Sequence, residues 1–304
     1  MKEKVLFIIN PRSGKGLIKN HVLTIVDIFI KNNMEVTIHT TQRERDACEV
    51  TYERAGEFDL IVCSGGDGTL DEVITGMMNR EDRKPVGYIP AGSTNDFANS
   101  LKLPRNMENA ARSIVLRHPY PCDIGSFNQD YFVYIAAFGI FTDVSYQTKQ
   151  EMKNVLGHLA YVLEGAKRIF NIKSYHLTVR TAAEEMEGDF IYGMVTNSES
   201  VGGFRNITGK HVKLNDGVFE VTLIRTPKNP IELQEILGAL LLREVDNKHI
   251  YSFKAAQVEF ESEQEIPWTL DGEYGGDHKN VEIRNHKQAI SIMTKSFPDE
   301  MIEK

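Results

Sequence analysis

The chain has 304 residues, 41% of them hydrophobic, and a formal net charge of −8. That length suits two domains better than one. The acidic balance argues against a nucleic-acid binder and against broad electrostatic adhesion to anionic lipid, and no apolar run reaches the ~18 residues of a membrane span.

In chain order, Lys4–Asn10 reads as a buried strand rather than a secretion signal, because no small-residue cleavage site follows it. Leu17–Lys31 carries Val22, Ile25, Val26, Phe29 and Ile30 at helical spacing. Glu35–Thr41 alternates as a strand, Arg43–Gly56 is an amphipathic polar segment, and Asp59–Ser64 is a third strand opening a helix at about Thr69–Asn79. Pro85–Pro90 and Met107–Arg117 predict a further strand and helix. Strand and helix in alternation predict a parallel sheet covered on both faces.

After about residue 122 the pattern changes. Tyr131–Ile140 is strand-like, and Lys149–Asn171 predicts one long helix, suited equally to a buried interdomain position and to a membrane-touching patch. Tyr175–Thr181 and Asp189–Thr196 predict a hairpin around Ala182–Gly188. Strands follow at Val218–Arg225, Ala256–Ser262, Val281–Arg284 and Ala289–Thr294, with a helix near Pro230–Leu242. The expected fold is therefore α/β: an N-terminal parallel-sheet nucleotide-binding domain over residues 1–125, and a C-terminal antiparallel β-sandwich-like domain over 126–294. The tail 295–304 is expected to return to the first domain, and a cleft between the domains is the natural place for a site. The three cysteines, Cys48, Cys63 and Cys122, have no metal-type spacing and read as free thiols of a reducing compartment.

The sharpest motif is Ser64-Gly65-Gly66-Asp67-Gly68-Thr69-Leu70-Asp71-Glu72. Glycines where a strand gives way to a helix let backbone N–H groups approach a polyphosphate, and the helix points its positive end at the same anion. Asp67 would repel phosphate, and a Mg²⁺ ion removes the conflict. An ordinary strand-to-helix turn needs no acid at its centre. Asn10-Pro11-Arg12-Ser13-Gly14-Lys15-Gly16 is not a Walker A loop. Alone it suits a solvated connection as well as a nucleotide contact; beside the glycine–aspartate loop the contact is the better reading. Ile89-Pro90-Ala91-Gly92-Ser93-Thr94-Asn95-Asp96-Phe97 closes the fourth strand. Its Asn95-Asp96 pair could cap a helix or reach a metal's water shell. In Asp271-Gly272-Glu273-Tyr274-Gly275-Gly276 two acids flank a glycine, so on extended backbone they would face the same way, unless the string is simply a polar hairpin. Trp268, the single tryptophan, reads as a packing residue.

Together the first three segments resemble the catalytic domain of the diacylglycerol kinase family, which includes sphingosine and related lipid kinases. Leu214-Asn215-Asp216-Gly217-Val218-Phe219 and Leu270–Gly276 are similar to motifs of the soluble bacterial members, in family order from residue 10 to 276. The resemblance implies an ATP- and Mg²⁺-dependent kinase converting diacylglycerol to phosphatidic acid at the inner face of the membrane, cytoplasmic and reversibly bound there, with a homodimer plausible. It implies ATP contacts at Asn10, Pro11, Arg12, Ser13, Gly14, Thr41, Gly66, Asp67, Gly68, Thr69, Leu70, Asp71, Glu72 and Ser93. It places catalytic Mg²⁺, largely through water, with Asp67, Asp96 and Asp123. A structural Mg²⁺ would sit with Asp216 and the backbone carbonyls of Lys213 and Val218. Glu273 would be the general base, with Asp271 orienting beside it. Asp71 stands where the family usually has asparagine, adding a negative charge near the phosphates, and Ser93 stands where threonine is commoner. Three rivals are a sphingosine-type lipid kinase, NAD kinase, which shares the Gly-Gly-Asp-Gly-Thr string, and a non-catalytic lipid- or nucleotide-binding regulator. The Ser93–Phe97 and Asp271–Gly276 strings favour a lipid kinase over NAD kinase.

Overall fold

The computed structural model describes residues 2–140, 173–198, 200–201, 204–205, 212–242 and 248–295. The helix expected at Lys149–Asn171 and, beyond Lys295, the tail expected to return lie outside the described residues. The chain forms two compact units, one of Met1–Ile124 with Lys287–Lys304, the other Gly125–His286.

The first unit begins with β1 (Glu3–Ile9), a 3₁₀ turn (Leu17–Asn20), α1 (Val22–Lys31), β2 (Met34–Thr40) and α2 (Asp46–Arg54). It continues with β3 (Leu60–Gly65), α3 (Asp67–Met78), β4 (Val86–Pro90), α4 (Asp96–Ser100), α5 (Met107–Val115) and the start of β5 (His118–Phe127). The single helix expected from Leu17 is broken at His21, whose N–H bonds back to Ile18 O at 2.9 Å in the tighter 3₁₀ pattern. α5 starts where Asn106 accepts the Asn109 N–H at 2.9 Å, an N-cap.

The strands run β2-β1-β3-β4 in parallel register, with Ile9 opposite Thr40 and Ser64, and Gly65 opposite Pro90. All of β3 and β4 is buried, as a sheet covered on both faces requires. Val5, Phe7, Ile9, Ile25, Phe29, Ile89, Ala110 and Ile114 form the core beneath α1 and α5. Each fully buried Val, Ile or Phe among them contributes about 1.5–3 kcal/mol. The expectation of a purely parallel N-terminal sheet is corrected by β15 (Glu273–Thr294). It pairs in parallel with β4 at Ile292 but antiparallel with β14 (Gln257–Leu270), so the hydrogen-bonded sheet is mixed.

The second unit is antiparallel and β-rich. It holds the end of β5, β6 (Asp130–Phe132), β7 (Ile135–Gly139), β8 (Tyr175–Arg180), β9 (Glu185–Thr196), β10 (Ser200–Val201), β11 (Phe204–Arg205) and β12 (Phe219–Arg225). α6 (Pro230–Leu242), β13 (Ile250–Ala255), β14 and most of β15 complete it. The path is β13-β12-β9-β7-β14-β15, with β8 bridging β9 and β14. Trp268 is 1% exposed, with Phe127, Phe138 and Phe260 rings 4.8 to 5.1 Å away, so packing is its role.

Candidate functional site

Three loops meet at the carboxyl ends of β1, β3 and β4. Asn10 leaves β1 with its N–H on Ser64 O at 2.9 Å. Its side chain accepts the Arg12 N–H at 3.0 Å and donates to Thr69 Oγ1 at 3.0 Å, which fixes the first loop against α3. The approach is so close that side chains are excluded. A Cβ on Gly14 (φ +54) would lie 2.4 Å from Ala91 O, and one on Gly92 would lie 2.6 Å from Gly66 Cα. Ser13 Oγ faces Gly66, 3.4 Å from where its Cβ would be. Thr41, just past β2, donates its N–H to Ile9 O at 2.9 Å and so stands beside Asn10 at the same sheet end. Pro11 is half-buried, while Arg12 and Ser93 are exposed on the loop surfaces.

Asp67 opens α3, whose N-cap residue Gly66 offers no side-chain cap. Its carboxylate accepts the Asp96 N–H at 3.1 Å and, more weakly, the Phe97 N–H at 3.4 Å. It therefore caps α4 from 29 residues away. Asn95 (φ +52) does not cap α4; it brackets Gly92, accepting its N–H at 3.0 Å and donating to its O at 2.8 Å. Tyr88, which the sequence reading passed over, lies buried beneath: its hydroxyl stands 3.3 Å from both Gly65 O and Asn95 Oδ1. Burial, and then the nearby Asp67 charge, push that hydroxyl well above the usual tyrosine range. The one signal for it was an aromatic in an otherwise aliphatic central strand.

The other expected contacts diverge. Thr69 and Leu70 are buried, 6% and 1% exposed; the Thr69 hydroxyl is engaged by Asn10, and Leu70 turns only its backbone to the loops. Glu72 turns to α2, accepting the Arg45 and Ala47 N–H groups at 3.0 Å each. That helix has no side-chain cap from Arg45, and Glu72 supplies it. Burial outweighs those hydrogen bonds and raises the Glu72 carboxyl. Gly68 and Asp71 are half-buried on the first turns of α3. Asp96 is 2% exposed, and Asp123 on β5 is fully buried, accepting the Gln288 N–H at 2.7 Å.

In the second unit, Asp271 and Gly272 (φ +51 and +88) form the two-residue turn between Leu270 and its partner Glu273. That is a type I′ hairpin, for which Asp-Gly is a favoured pair. The backbone at Asp271 is left-handed, not extended, which corrects the same-side reading of the two acids. Asp271 turns inward, 5% exposed, and accepts the Val133, Tyr134 and Ile135 N–H groups at 2.5, 2.9 and 2.9 Å. Those bonds interrupt the expected strand Tyr131–Ile140 between β6 and β7. Glu273 stands exposed at the start of β15. A bulge follows, because Trp268 pairs with Gly276 but Thr269 with Tyr274. Ahead of β12, Lys213 is exposed, and Asp216 accepts the Val218 N–H at 3.2 Å. Among the described residues, no three His, Cys, Asp or Glu side chains are grouped to ligate a metal directly.

Loops tied together at the carboxyl ends of parallel strands, against a helix N-terminus, define an α/β class of protein, a class in which ligands generally bind at such an edge. Residues 4–127 match the family model described as diacylglycerol kinase catalytic domain, and residues 136–294 match the one described as YegS C-terminal NAD kinase beta sandwich-like domain. The chain is 33% identical to a diacylglycerol kinase of Bacillus subtilis, over 98% of this chain and 99% of that one. It is 34% identical to one of Staphylococcus haemolyticus, over 97% and 89%. A Bacillus anthracis crystal structure, provisionally described as a diacylglycerol kinase, superposes with a TM-score of 0.80 at 26% identity, covering 96% and 97%. The chain belongs to the diacylglycerol kinase catalytic-domain family, phosphotransferases that act on an alcohol.

Proposed function

We propose that the protein transfers the γ-phosphoryl group of ATP to the primary hydroxyl of diacylglycerol, giving ADP and phosphatidic acid. The observation that carries this is the convergence of the Asn10–Gly14, Gly66–Asp71 and Ala91–Asn95 loops at one sheet edge, in a chain of this family. Backbone N–H groups of the first two loops and of the first turn of α3 hold the phosphates. The Ser13 and Ser93 hydroxyls and the Arg12 guanidinium are free-standing enough to reach them, and Thr41 marks the nucleotide's side of the sheet. Glu72 is left to α2.

Asp67, Asp96 and Asp123 offer only oxygen donors, as Mg²⁺ prefers, and would serve the ion largely through its water shell rather than as grouped direct ligands. Bound there, Mg²⁺ would neutralise charge on the transferring phosphoryl group. Glu273 takes the proton as the acceptor oxygen attacks phosphorus; its exposure leaves it open to an incoming hydroxyl. Asp271, its oxygens held by three backbone N–H groups, positions the turn and takes no proton.

Reversible contact with the cytoplasmic leaflet brings the lipid within reach. No helix among the described residues is long and apolar enough to cross a membrane. The test is phosphate transfer from ATP to detergent-dispersed diacylglycerol, sphingosine and NAD⁺, side by side. Diacylglycerol should be turned over fastest and only with Mg²⁺ present. Faster transfer to NAD⁺ or sphingosine would replace the acceptor, and no transfer to any of them would overturn the catalytic reading.

A further inference from the structure

Residues 212–218 lead into β12, whose second residue, Glu220, stands directly opposite Lys254 of β13 in antiparallel register. Glu220 is a carboxylate only 4% exposed, and Lys254 Nζ lies 2.9 Å from its Oε1. The same ammonium reaches Asp216 Oδ2 at 3.4 Å. The other Asp216 oxygen accepts the Val218 N–H at 3.2 Å. A lysine ammonium has three donors, so one group can serve both acids.

This is the loop for which the family resemblance implies a structural Mg²⁺, on Asp216 and the carbonyls of Lys213 and Val218. The residues do not fit that ion. It would have to take Oδ2 from an ammonium and then stand beside a positive charge that the buried Glu220 keeps in place. Mg²⁺ also demands near-octahedral geometry and dehydrates reluctantly. We infer that Lys254 is the resident cation of this loop: its ammonium bridges Asp216 and Glu220, offsetting one of their two charges, and the loop folds without a divalent ion. The inference holds whatever the nucleotide or acceptor proves to be.

Thermal unfolding of the nucleotide-free full chain tests it, in EDTA against millimolar Mg²⁺ and Ca²⁺. The native protein and Asp216→Asn should respond to the added ions identically. Lys254→Met should unfold several degrees lower in EDTA, and Glu220→Gln added to it should recover much of that loss by removing the stranded buried charge. Native protein stabilised by Mg²⁺ by several degrees, with that gain lost in Asp216→Asn, would overturn the inference. So would Lys254→Met as stable as native in EDTA. If Lys254→Met does not fold, the native and Asp216→Asn comparison still decides.

Discussion

Asp67 carries two loads. It accepts the Asp96 and Phe97 N–H groups, and in the proposed mechanism it helps hold Mg²⁺. Asp67→Asn keeps one acceptor oxygen, so stability should fall by about 1 kcal/mol or less, while turnover falls by orders of magnitude. Near-normal turnover of a folded Asp67→Asn protein would remove the residue from the mechanism. The hairpin acids separate in the same way. Glu273→Gln should lower kcat by about 10²–10⁴, with ATP affinity by calorimetry unchanged. Asp271→Asn sets an amide N–H₂ against backbone donors and should cost about 1–3 kcal/mol in urea unfolding. Normal turnover of Glu273→Gln with a folded but inactive Asp271→Asn would exchange the two roles.

At the scale of elements, side chains from other segments start two of the helices. α2 is capped by Glu72 of α3, and α4 by Asp67. The Glu72 carboxyl is raised, chiefly by burial. A group raised in the folded state gives stability that is whole below the ordinary carboxylate range and is lost as pH rises through its folded value. The stability advantage of the native protein over Glu72→Gln should therefore shrink as pH climbs out of that range. Urea midpoints for both proteins over a pH series check this, and an advantage that grew with pH would contradict it. The loop strings of this edge were legible from glycine spacing and from the family resemblance. The caps were not, because they join residues 25 to 30 apart in sequence, and no local pattern announces such a bond.

At the scale of the molecule, the first unit is discontinuous in sequence: it needs Lys287 onward as well as Met1–Ile124. Ile292 pairs with Val86, and the Gln288 N–H satisfies the buried Asp123 carboxylate. A fragment of residues 1–124 should therefore leave the β4 edge open and Asp123 without that donor. It should melt below the first transition of the full chain or aggregate, as circular dichroism and light scattering would show. A soluble fragment with full-length stability would refute the dependence.

Sequence alone determined where most strands and helices lie, because buried β1, β3 and β4 read as unbroken apolar runs and the helices as apolar residues at helical spacing. It also singled out the loops that meet at the carboxyl ends of β1, β3 and β4, because their glycines stand at strand ends with acids among them. Only the tertiary structure decided how those acids are spent. Asp271 and Glu273 sit two residues apart, yet a left-handed turn sends one inward onto three N–H groups and leaves the other in solvent. Asp216 matches a metal-binding string, yet a lysine 38 residues away lies across one of its oxygens. A carboxylate's role follows from which donors reach it first, and those donors come from strands that meet only when the chain has folded.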